Sequence, residues 1–421
     1  MGSRHHSPRG IDSRSQISAR RQSLDPATRS RYQLRYNSVA KRCLMQSSRS
    51  VSSGMLQNTS RRTVLGFGVA LGGMVVAGVP ALASDGAAAS SSPSSPMPGG
   101  ALAPPLFDPA SCLRYLPNGV RNSWFFIGYL ETKAGHKLNC LVHQIIDSMP
   151  GEPLKIASIL NITDITNRAY RNEERMYSAD EITLDLDRMR NITPSSTIEG
   201  DLRGIHVQAD FGWGALDFTT EFPGRVMVNG GAGVFTFLGG TPTVQYSLPW
   251  GTGSGWLELD GVRHEATGSF WFDRQWGQPK GLLGQAGTAV GPHDNWVWMD
   301  LNLSNGLAMG LWDISMNGQR FSWVTVLHPD GTHVIAQIEP VADGASAVWT
   351  SPASGQRYPT RFKVRVPALD CTLDVVAVME AQEIVSPTEP KYEGAATVSG
   401  TYGGETVTGF TLIELMGNWR G

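Results

Sequence analysis

The sequence predicts an all-β protein with two antiparallel β-barrel or sandwich domains. Short apolar and aromatic runs alternate with turn signals, as where Asp260-Gly261 separates Gly255–Leu259 from Val262–Ala266, and an Asp-Gly pair between two such runs is a strong hairpin signal. Gly and Pro are frequent, at 48 and 25 residues, and long helical patterns are scarce. Strands do not alternate with helices, which argues against a parallel sheet. We place one domain at residues 106–280 and the other at 290–421.

The elements can be followed in order along the chain. Ser123–Leu130 is a dense aromatic strand, and the turn Lys133–His136 joins it to a second strand at Leu138–Ile146. Leu154–Arg190 is mixed and predicts a short helix or irregular strands. Gly277–Pro292 is Gly-rich without a strand or helix period, which is typical of an interdomain connection or an active-site loop. Later strands are predicted at residues 296–303, 307–315, 321–327, 334–338, 361–366, 372–379, 395–399 and 406–415.

The N-terminal part of the chain has the layout of an export signal. The pair Arg61-Arg62 directly precedes an uncharged run from Thr63 to Ala83, which ends in the small residues Ala81-Leu82-Ala83. A twin arginine, an uncharged stretch and a small-residue cleavage site together indicate the twin-arginine route. We therefore predict that residues 1–83 are an N-terminal extension with an export signal, and that the mature protein is periplasmic or secreted.

Two alternatives to a cleaved signal stay open. One is a membrane anchor, and the other is a eukaryotic transit peptide, because residues 1–59 are rich in Arg and Ser and poor in acids. A translation start at Met45 or Met55 would give a bacterial signal of ordinary size, and we prefer that interpretation. Residues 84–105 are an Ala, Ser, Pro and Gly stretch without a hydrophobic period, which is typical of a disordered linker.

The charge of the mature chain excludes some partners. Residues 1–83 hold 13 of the 35 Lys and Arg and 2 of the 37 Asp and Glu, so the remainder has 22 basic and 35 acidic residues, a net charge of −13. Such an acidic protein is a poor candidate for binding nucleic acid or anionic membranes. No stable membrane span is expected after processing, and the sequence does not determine the oligomeric state. The cysteines Cys112, Cys140 and Cys371 allow at most one internal disulfide, so this is not a disulfide scaffold.

The segment Gly268–Gly277 carries the clearest chemical signal, because it sets one carboxylate, Asp273, among aromatic rings. A carboxyl group against aromatic surface is poorly solvated and holds its proton tightly, so it can act as a general acid near neutral pH. The alternative is a core strand whose Asp is paired with an Arg. Side chains of a strand alternate, which gives two sets: Trp271, Asp273 and Gln275 on one face, and Phe270, Phe272, Arg274 and Trp276 on the other.

Other catalytic chemistry has weaker support. No Ser lies in a G-x-S-x-G frame, and no P-loop or dinucleotide fingerprint opens a helix, so no cofactor is predicted. His328 and His333 could bind a metal across a hairpin, but such residues are more often exposed beside a turn, and no metal is predicted. His293 and Asp294 would face Asp273 if the Gly-rich connection crosses a domain interface; otherwise they lie in a polar loop.

Several blocks of the chain resemble those of a known family. The segment Asp273-Arg-Gln-Trp-Gly277 is similar to a D-H-E-W-G or D-H-N-W-G box that follows a Gly-aromatic strand, and Asn122–Phe125 is similar to an E-W-W-Y-type opening strand. Further blocks are Arg357–Pro359, Tyr392–Ala395, Val398–Thr401 with Val407–Gly409, and Glu414–Gly417. Between residues 118 and 419 the chain thus resembles the AttH/CrtC-like proteins, whose namesakes include the hydroxyneurosporene synthases (carotenoid 1,2-hydratases).

The chain departs from the family pattern at two places. Arg274 and Gln275 replace the His and the acidic or amide residue of the box, and Asn122 and Ser123 replace the first-strand Glu and Trp. The missing His removes a candidate proton shuttle, while Asp273 is kept.

The resemblance implies two lipocalin-like domains with a ligand cavity in or between them. It also implies apolar, terpenoid or polyketide-like substrates, since relatives include hydratases of isolated alkenes and cofactor-free cyclases. Many bacterial relatives are called secreted hydrolases, a role for which no nucleophile is visible in this sequence.

The predicted function is cofactor-free, acid-initiated hydration or isomerisation of a carbon–carbon double bond in a hydrophobic small molecule. Asp273 would donate the proton, Gln275 or His293 would position water, and the indole faces of Trp271 and Trp276 would stabilise positive charge. The alternatives are a non-catalytic carrier of a lipid or pigment, a secreted hydrolase of unknown type, and an interaction module whose aromatic residues only pack. The predicted substrate-binding residues are Trp124, Trp271, Trp276 and Tyr392.

Overall fold

Each half of the folded chain forms one antiparallel sheet whose first strand pairs with its last. The computed structural model describes residues 106–117, 121–148, 153–236, 242–277, 293–386 and 390–419. The predicted export signal at 1–83, the linker at 84–105 and most of the Gly-rich connection at 277–292 lie outside these residues. All described residues belong to one compact unit.

The first sheet follows a four-residue helix, α1 (Pro109–Cys112), whose first turn is capped by the Asp108 carboxylate. Its strands run in the order β4-β3-β2-β1-β13-β12-β9-β8-β7-β6-β5, with β10 and β11 paired to β12. Their bounds are β1 (Arg121–Thr132), β2 (Lys137–Asp147), β3 (Lys155–Asp164), β4 (Ala169–Tyr177), β5 (Thr183–Leu184), β6 (Met189–Thr193), β7 (Ser196–Gly200), β8 (Gly204–Asp210), β9 (Gly214–Glu221), β10 (Met227–Val228), β11 (Val234–Thr236), β12 (Pro242–Leu259) and β13 (Val262–Gly277).

The second sheet repeats this arrangement, with its first and last strands paired in the middle. Its order is β17-β16-β15-β14-β23-β22-β20-β19-β18, and β21 pairs with β22. Its strands are β14 (Asn295–Leu303), β15 (Ala308–Met316), β16 (Gln319–Leu327), β17 (His333–Gln337), β18 (Ser346–Thr350), β19 (Arg357–Val366), β20 (Cys371–Ala377), β21 (Glu383–Ile384), β22 (Lys391–Tyr402) and β23 (Glu405–Gly417), with a 3-10 turn at Pro367–Leu369.

The all-β fold class predicted from the sequence is confirmed, with two curled antiparallel sheets. Asp260 and Gly261 join β12 to β13 with φ of 49° and 80°, the left-handed pair that a two-residue hairpin turn requires. Residues 154–190 contain strands in place of the short helix that was one prediction for them. The side chains of Cys112, Cys140 and Cys371 are buried, and no disulfide joins any two of them. Within the described ranges no helix has the length and apolar character to cross a membrane.

Strands in the middle of each sheet are buried on both faces. Along β1, Trp124 and Phe126 point into the core of the first sheet, while Phe125 and Ile127 point toward the second sheet. The sequence of such a strand is a continuous apolar run, because both of its faces are covered. The layer between the sheets, which we call the inter-sheet cluster, contains Phe125, Ile127, Leu141, Ile159, Met227 and Trp271 from the first sheet and Trp296, Trp298, Ala308, Trp312, Ile314, Met316, Leu327, Ile384 and Leu412 from the second.

Arg274 ties the segment around α1 to the first sheet. Its guanidinium is fully buried and donates to the carbonyl oxygens of Cys112 at 3.0 Å and Arg114 at 2.9 Å and to Asn122 Oδ1 at 2.7 Å. It also lies 4.3 Å from the centre of the Trp124 ring. Burial lowers the pKa of Arg274 to about 10, so the group stays charged at neutral pH and is held by oxygen dipoles and an aromatic face.

Replacing Arg274 should loosen the N-terminal segment. Arg274→Met leaves the buried carbonyl oxygen of Cys112 and the partly buried one of Arg114 without this donor, so we expect the free energy of unfolding to fall by about 2–4 kcal/mol. Arg274→Lys keeps the charge but cannot span the same acceptors, and we expect an intermediate loss. Chemical denaturation gives the two values, and limited proteolysis reports on residues 106–117. Wild-type stability of Arg274→Met would contradict this anchoring role.

Candidate active site

A cavity of about 100 Å³ lies between the two sheets, beside the inter-sheet cluster. Both sheets contribute polar and aromatic side chains to its wall, so it combines hydrogen-bonding groups with an apolar surface. The lining residues are Arg121, Ser123, Phe125, His143, Ile145, Ile159, Glu174, Gln245, Asp273, Gln275, Trp296, Trp298, Trp312, Ser386, Lys391, Glu414 and Met416.

Strand register explains why these side chains meet. Facing residues of adjacent strands carry their side chains on the same side of a sheet. On the first sheet, one row across the strands is His143, Phe125, Asp273 and Ser247, and the next is Ile145, Ser123, Gln275 and Gln245. On the second sheet, the facing row is Glu393, Glu414, Trp298, Trp312 and Trp323.

Asp273 is the buried acid of this cavity, with 4% of its surface exposed. Oδ1 accepts a hydrogen bond from Trp271 Nε1 at 2.6 Å, and Oδ2 accepts one from Gln245 Nε2 at 2.7 Å. Burial raises the pKa of Asp273 to about 7, although hydrogen bonds from Ser247, Trp271 and Gln245 oppose the rise. No cation forms a salt bridge with it within the described ranges, so the alternative of an Asp paired with an Arg is not what the fold contains. The carboxyl therefore exists in both protonation states near neutral pH.

The orientation of Gln245 follows from its neighbours. Trp312 Nε1 lies 3.0 Å from Gln245 Oε1, and an indole N–H can only donate. The amide oxygen therefore faces Trp312 and the amide nitrogen faces Asp273. This chain of hydrogen bonds crosses from the second sheet to the first, so the packing of the sheets holds Asp273 in position.

A second polar chain crosses the interface at the other side of the cavity. Lys391 Nζ lies 2.7 Å from Glu393 Oε1 and 3.2 Å from His143 Nδ1, and His143 Nε2 lies 2.7 Å from Ser123 Oγ. Burial alone would lower the pKa of Lys391. The carboxylates of Glu393 and Glu414 together outweigh that effect, so the net shift of the pKa is upward. The pKa of His143 falls well below its usual value because of burial and the charge of Lys391.

These protonation states fix the tautomer of His143. A protonated lysine only donates, so Nδ1 of the neutral ring accepts from Lys391 and the ring proton sits on Nε2. His143 then donates to Ser123 Oγ, and the hydroxyl proton of Ser123 is directed away from the imidazole.

Two more acids lie at the interface, of which Asp300 is fully buried and Glu414 is partly buried. Asp300, in the second sheet, accepts from the Tyr129 hydroxyl at 2.7 Å and from Leu412 N at 2.6 Å, and burial raises its pKa to about 8. Glu414, on the cavity wall, accepts from Trp296 Nε1 at 2.7 Å. Carboxyl groups thus approach the cavity region from both sheets, beside the aromatic side chains of its wall.

The structure brings together only some of the residues predicted from the sequence. Asp273 and Gln275 line the cavity, and Trp271 lies on the same strand face and donates to Asp273, as the alternation predicts. Trp124 and Trp276 belong to the core of the first sheet, and Tyr392 to that of the second, because their strand positions point them away from the interface. His293 is exposed and is not part of the cavity wall.

The backbone contacts of His333 bear on the alternative that this residue binds a metal. Its Nε2 accepts from Val228 N at 3.2 Å, and Nδ1 lies 3.1 Å from the Gly331 carbonyl oxygen, so both ring nitrogens are bonded to backbone. Throughout the described ranges, no three His, Cys, Asp or Glu side chains are grouped as a metal would require.

Sequence reasoning missed His143, Lys391, Glu414 and Ser123 as members of one site. The first two are single polar residues in strand patterns, and nothing local marks them. A signal did exist for Glu414, because it opens one of the blocks that resemble the family.

The chain is similar to known proteins over most of its described part. The model of a family described as AttH-like matches residues 117–418. Kievitone hydratase from Fusarium solani subsp. phaseoli is 27% identical over 217 residues, which are 49% of this chain and 58% of that protein. The chain therefore spans less than two thirds of this relative.

Two solved structures share the fold. That of kievitone hydratase from Nectria haematococca has a TM-score of 0.63 and 21% identity, covering 76% of this chain and 96% of that one. An AttH structure from Nitrosomonas europaea has a TM-score of 0.59 and 18% identity, covering 72% and 93%.

The buried acids should make stability fall as pH rises. An unfolded Asp titrates near 3.9, whereas the folded-state pKa values are about 7 for Asp273 and about 8 for Asp300. The contribution of the two acids to the free energy of unfolding is complete below about pH 4, and it is lost as the pH rises through the folded-state pKa values of about 7 to 8. Between pH 6.5 and 8, ionisation of each acid should lower the free energy of unfolding by at most about 1.4 kcal/mol per pH unit. His143, whose folded-state pKa is lowered, opposes this trend at the lower end of the range. Calorimetric melting of Asp300→Asn should show a flatter pH dependence than wild type; an unchanged slope would contradict the assignment.

Proposed function

The chain belongs to the AttH-like family, and from that premise we propose that it is a hydratase. It adds water across a carbon–carbon double bond of a largely apolar small molecule, with Asp273 as the acid. The similarity to kievitone hydratase supports the reaction class, and the cavity between the sheets supports the assignment of residues.

One observation carries this proposal: a buried carboxyl with a pKa of about 7 faces a cavity whose wall includes Phe125, Trp296, Trp298 and Trp312. An isolated alkene is a weak base, so its protonation needs a positioned acid that is still protonated at the working pH. Among the described residues, the hydrogen-bond donors to Asp273 are the neutral side chains of Ser247, Trp271 and Gln245. The Asp273 carboxyl is therefore acidic enough to give up its proton and basic enough to hold it near neutral pH.

The proposed reaction is balanced without any other reagent. The Asp273 proton and the alkene π electrons form a new C–H bond at one carbon, which leaves a carbocation at the other. A water oxygen bonds to that carbon, and one proton of the bound water passes to the Asp273 carboxylate, directly or through solvent in the cavity. The product is an alcohol, and the acid is restored.

The cavity wall suits a cationic intermediate. Phe125, Trp298 and Trp312 present aromatic surface, and each aromatic face that a cation meets contributes about 0.5–2 kcal/mol. Glu414 lies on the second sheet, and its charge is felt by Asp273 across the interface. It is the group placed to orient water on the side opposite the acid.

The orientation of His143 argues against the hydrolase alternative. A serine hydrolase needs a histidine nitrogen free to take the serine proton. Ser123 and His143 are 2.7 Å apart, but the facing nitrogen already carries a proton because Lys391 donates to the other one. This pair cannot activate Ser123 as a nucleophile.

Asp273→Asn should lower turnover by about a thousandfold or more, because the amide cannot donate a proton of comparable acidity. Alkenes of isoprenoid and phenolic type would be incubated in ¹⁸O-labelled water and analysed by mass spectrometry, where hydration adds one labelled oxygen. Asp313→Asn, at a buried aspartate bonded to Ser322 and Ala342, is the matched control and should keep activity. Turnover by Asp273→Asn at the wild-type rate would refute the role.

The pH profile gives an independent check of the same acid. Since the protonated form is the active one, kcat/KM should fall as pH rises through about 7. A profile that rises through this range would indicate a general base instead.

The carrier alternative uses the same cavity without chemistry. It predicts that ligand binding survives Asp273→Asn and that wild-type protein gives no labelled product. Export stays a prediction from residues 61–83, and a terpenoid or polyene substrate stays a prediction from the family resemblance.

A further inference from the structure

Two N–H donors on the cavity wall have no acceptor among the described residues. They are Nε1 of Trp298 and Nε2 of Gln275. Trp298 is 2% exposed, and its ring is held by edge contacts with Phe125 and Trp271. A buried N–H without a hydrogen-bond acceptor lowers stability. These two donors are therefore suited to bind an acceptor atom of a molecule in the cavity.

Ser123 adds a third donor at the same place. His143 Nε2 donates to its oxygen, and no second protein partner of the hydroxyl is found among the described residues. The Ser123 proton is therefore available to an acceptor in the cavity. Because protonated Lys391 polarises His143, the chain from lysine to serine makes this hydroxyl a better donor.

The register places the donors in one patch. Ser123 and Gln275 face each other across the β1–β13 pair, so their side chains are close neighbours on the same sheet surface. Trp298 reaches the cavity from the second sheet. Asp273 lies two residues before Gln275 on β13, so its carboxyl is in the row of side chains next to these donors. The carboxylates of Glu174 and Glu414 also line the cavity, at positions on β4 and β23.

We propose that Ser123, Gln275 and Trp298 bind an oxygen of the substrate, so that the protein selects alkenes carrying a phenolic or carbonyl oxygen over hydrocarbons of the same shape. This inference rests on the proposed hydration at Asp273 and adds the substrate class. The acceptor oxygen satisfies the donor patch and orients the double bond toward the adjacent acid. A pure hydrocarbon leaves the buried donors unpaired, and a site built to bond an oxygen rejects the analogue that lacks it.

A matched pair of probes tests this selectivity: 4-(2-methylallyl)phenol and (2-methylallyl)benzene, which differ by one oxygen. Isothermal titration calorimetry at pH 6.5 would be run on wild type and on Asp273→Asn. We expect the phenol to bind about tenfold more tightly than the hydrocarbon in both proteins. Equal affinities, or no binding of either probe at about 1 mM, would overturn the inference.

Variants of the donor patch locate the effect. Trp298→Phe removes the N–H but keeps an aromatic ring, and Ser123→Ala removes the hydroxyl; each should reduce the preference to about threefold or less, mainly by weakening the phenol. Trp323→Phe is the control, since its buried Nε1 also has no partner among the described residues but lies outside the cavity wall. A preference that survives both patch variants, or is lost in Trp323→Phe as well, would overturn the inference.

The binding readout is separable from catalysis. If the phenol is preferred and the preference depends on the patch, while no alkene is hydrated, the recognition stands and only the proposed hydratase function fails. If alkenes are hydrated but the phenol has no advantage, the function stands and the donor patch does not select substrate.

Discussion

The antiparallel pairing of β1 with β13, covered on both faces, is the constraint on which the site depends. One face of β13 packs into the core of the first sheet, and the other meets the second sheet. Asp273 is buried only because the second sheet covers it, and the rise in its pKa comes mainly from that burial. Contacts across the interface, such as Trp312 with Gln245 and Tyr129 with Asp300, hold the sheets together and so preserve the burial that raises the pKa of Asp273.

The same alternation explains the effect of this chain's departure from the family box. Arg274 occupies the position of the box His, and it points into the core of the first sheet, where it holds the α1 segment. The side chain that replaces the box His therefore points away from the cavity, and its Nη1 donates to the main-chain oxygen of Ser123, a residue of the cavity wall, at 3.3 Å. Ser123 and Gln275, both on the cavity wall, are the departures that change the groups available to a ligand.

The sequence was sufficient for the fold class, for the hairpin at Asp260-Gly261, and for the two faces of residues 270–276, since each depends on local pattern. It was not sufficient for His143, Lys391 and Glu414, because they come from strands far apart in the chain and meet only through register and sheet packing. Trp124, Trp276 and Tyr392 were chosen for their residue type, whereas their strand positions put them in separate cores. Composition identifies candidate side chains, but only the three-dimensional register shows which of them share a cavity.

The pairing of first and last strands also has a kinetic consequence. Ser123 and Gln275, which face each other in the site, are about 150 residues apart, and contacts of such high sequence separation form slowly because loop closure must precede them. A ribosome-bound chain cannot form the site before β13 has emerged, nor bury it before β23 has. Until then, the aromatic face of β1 is exposed to other chains, and the nascent protein depends on protection from aggregation during synthesis.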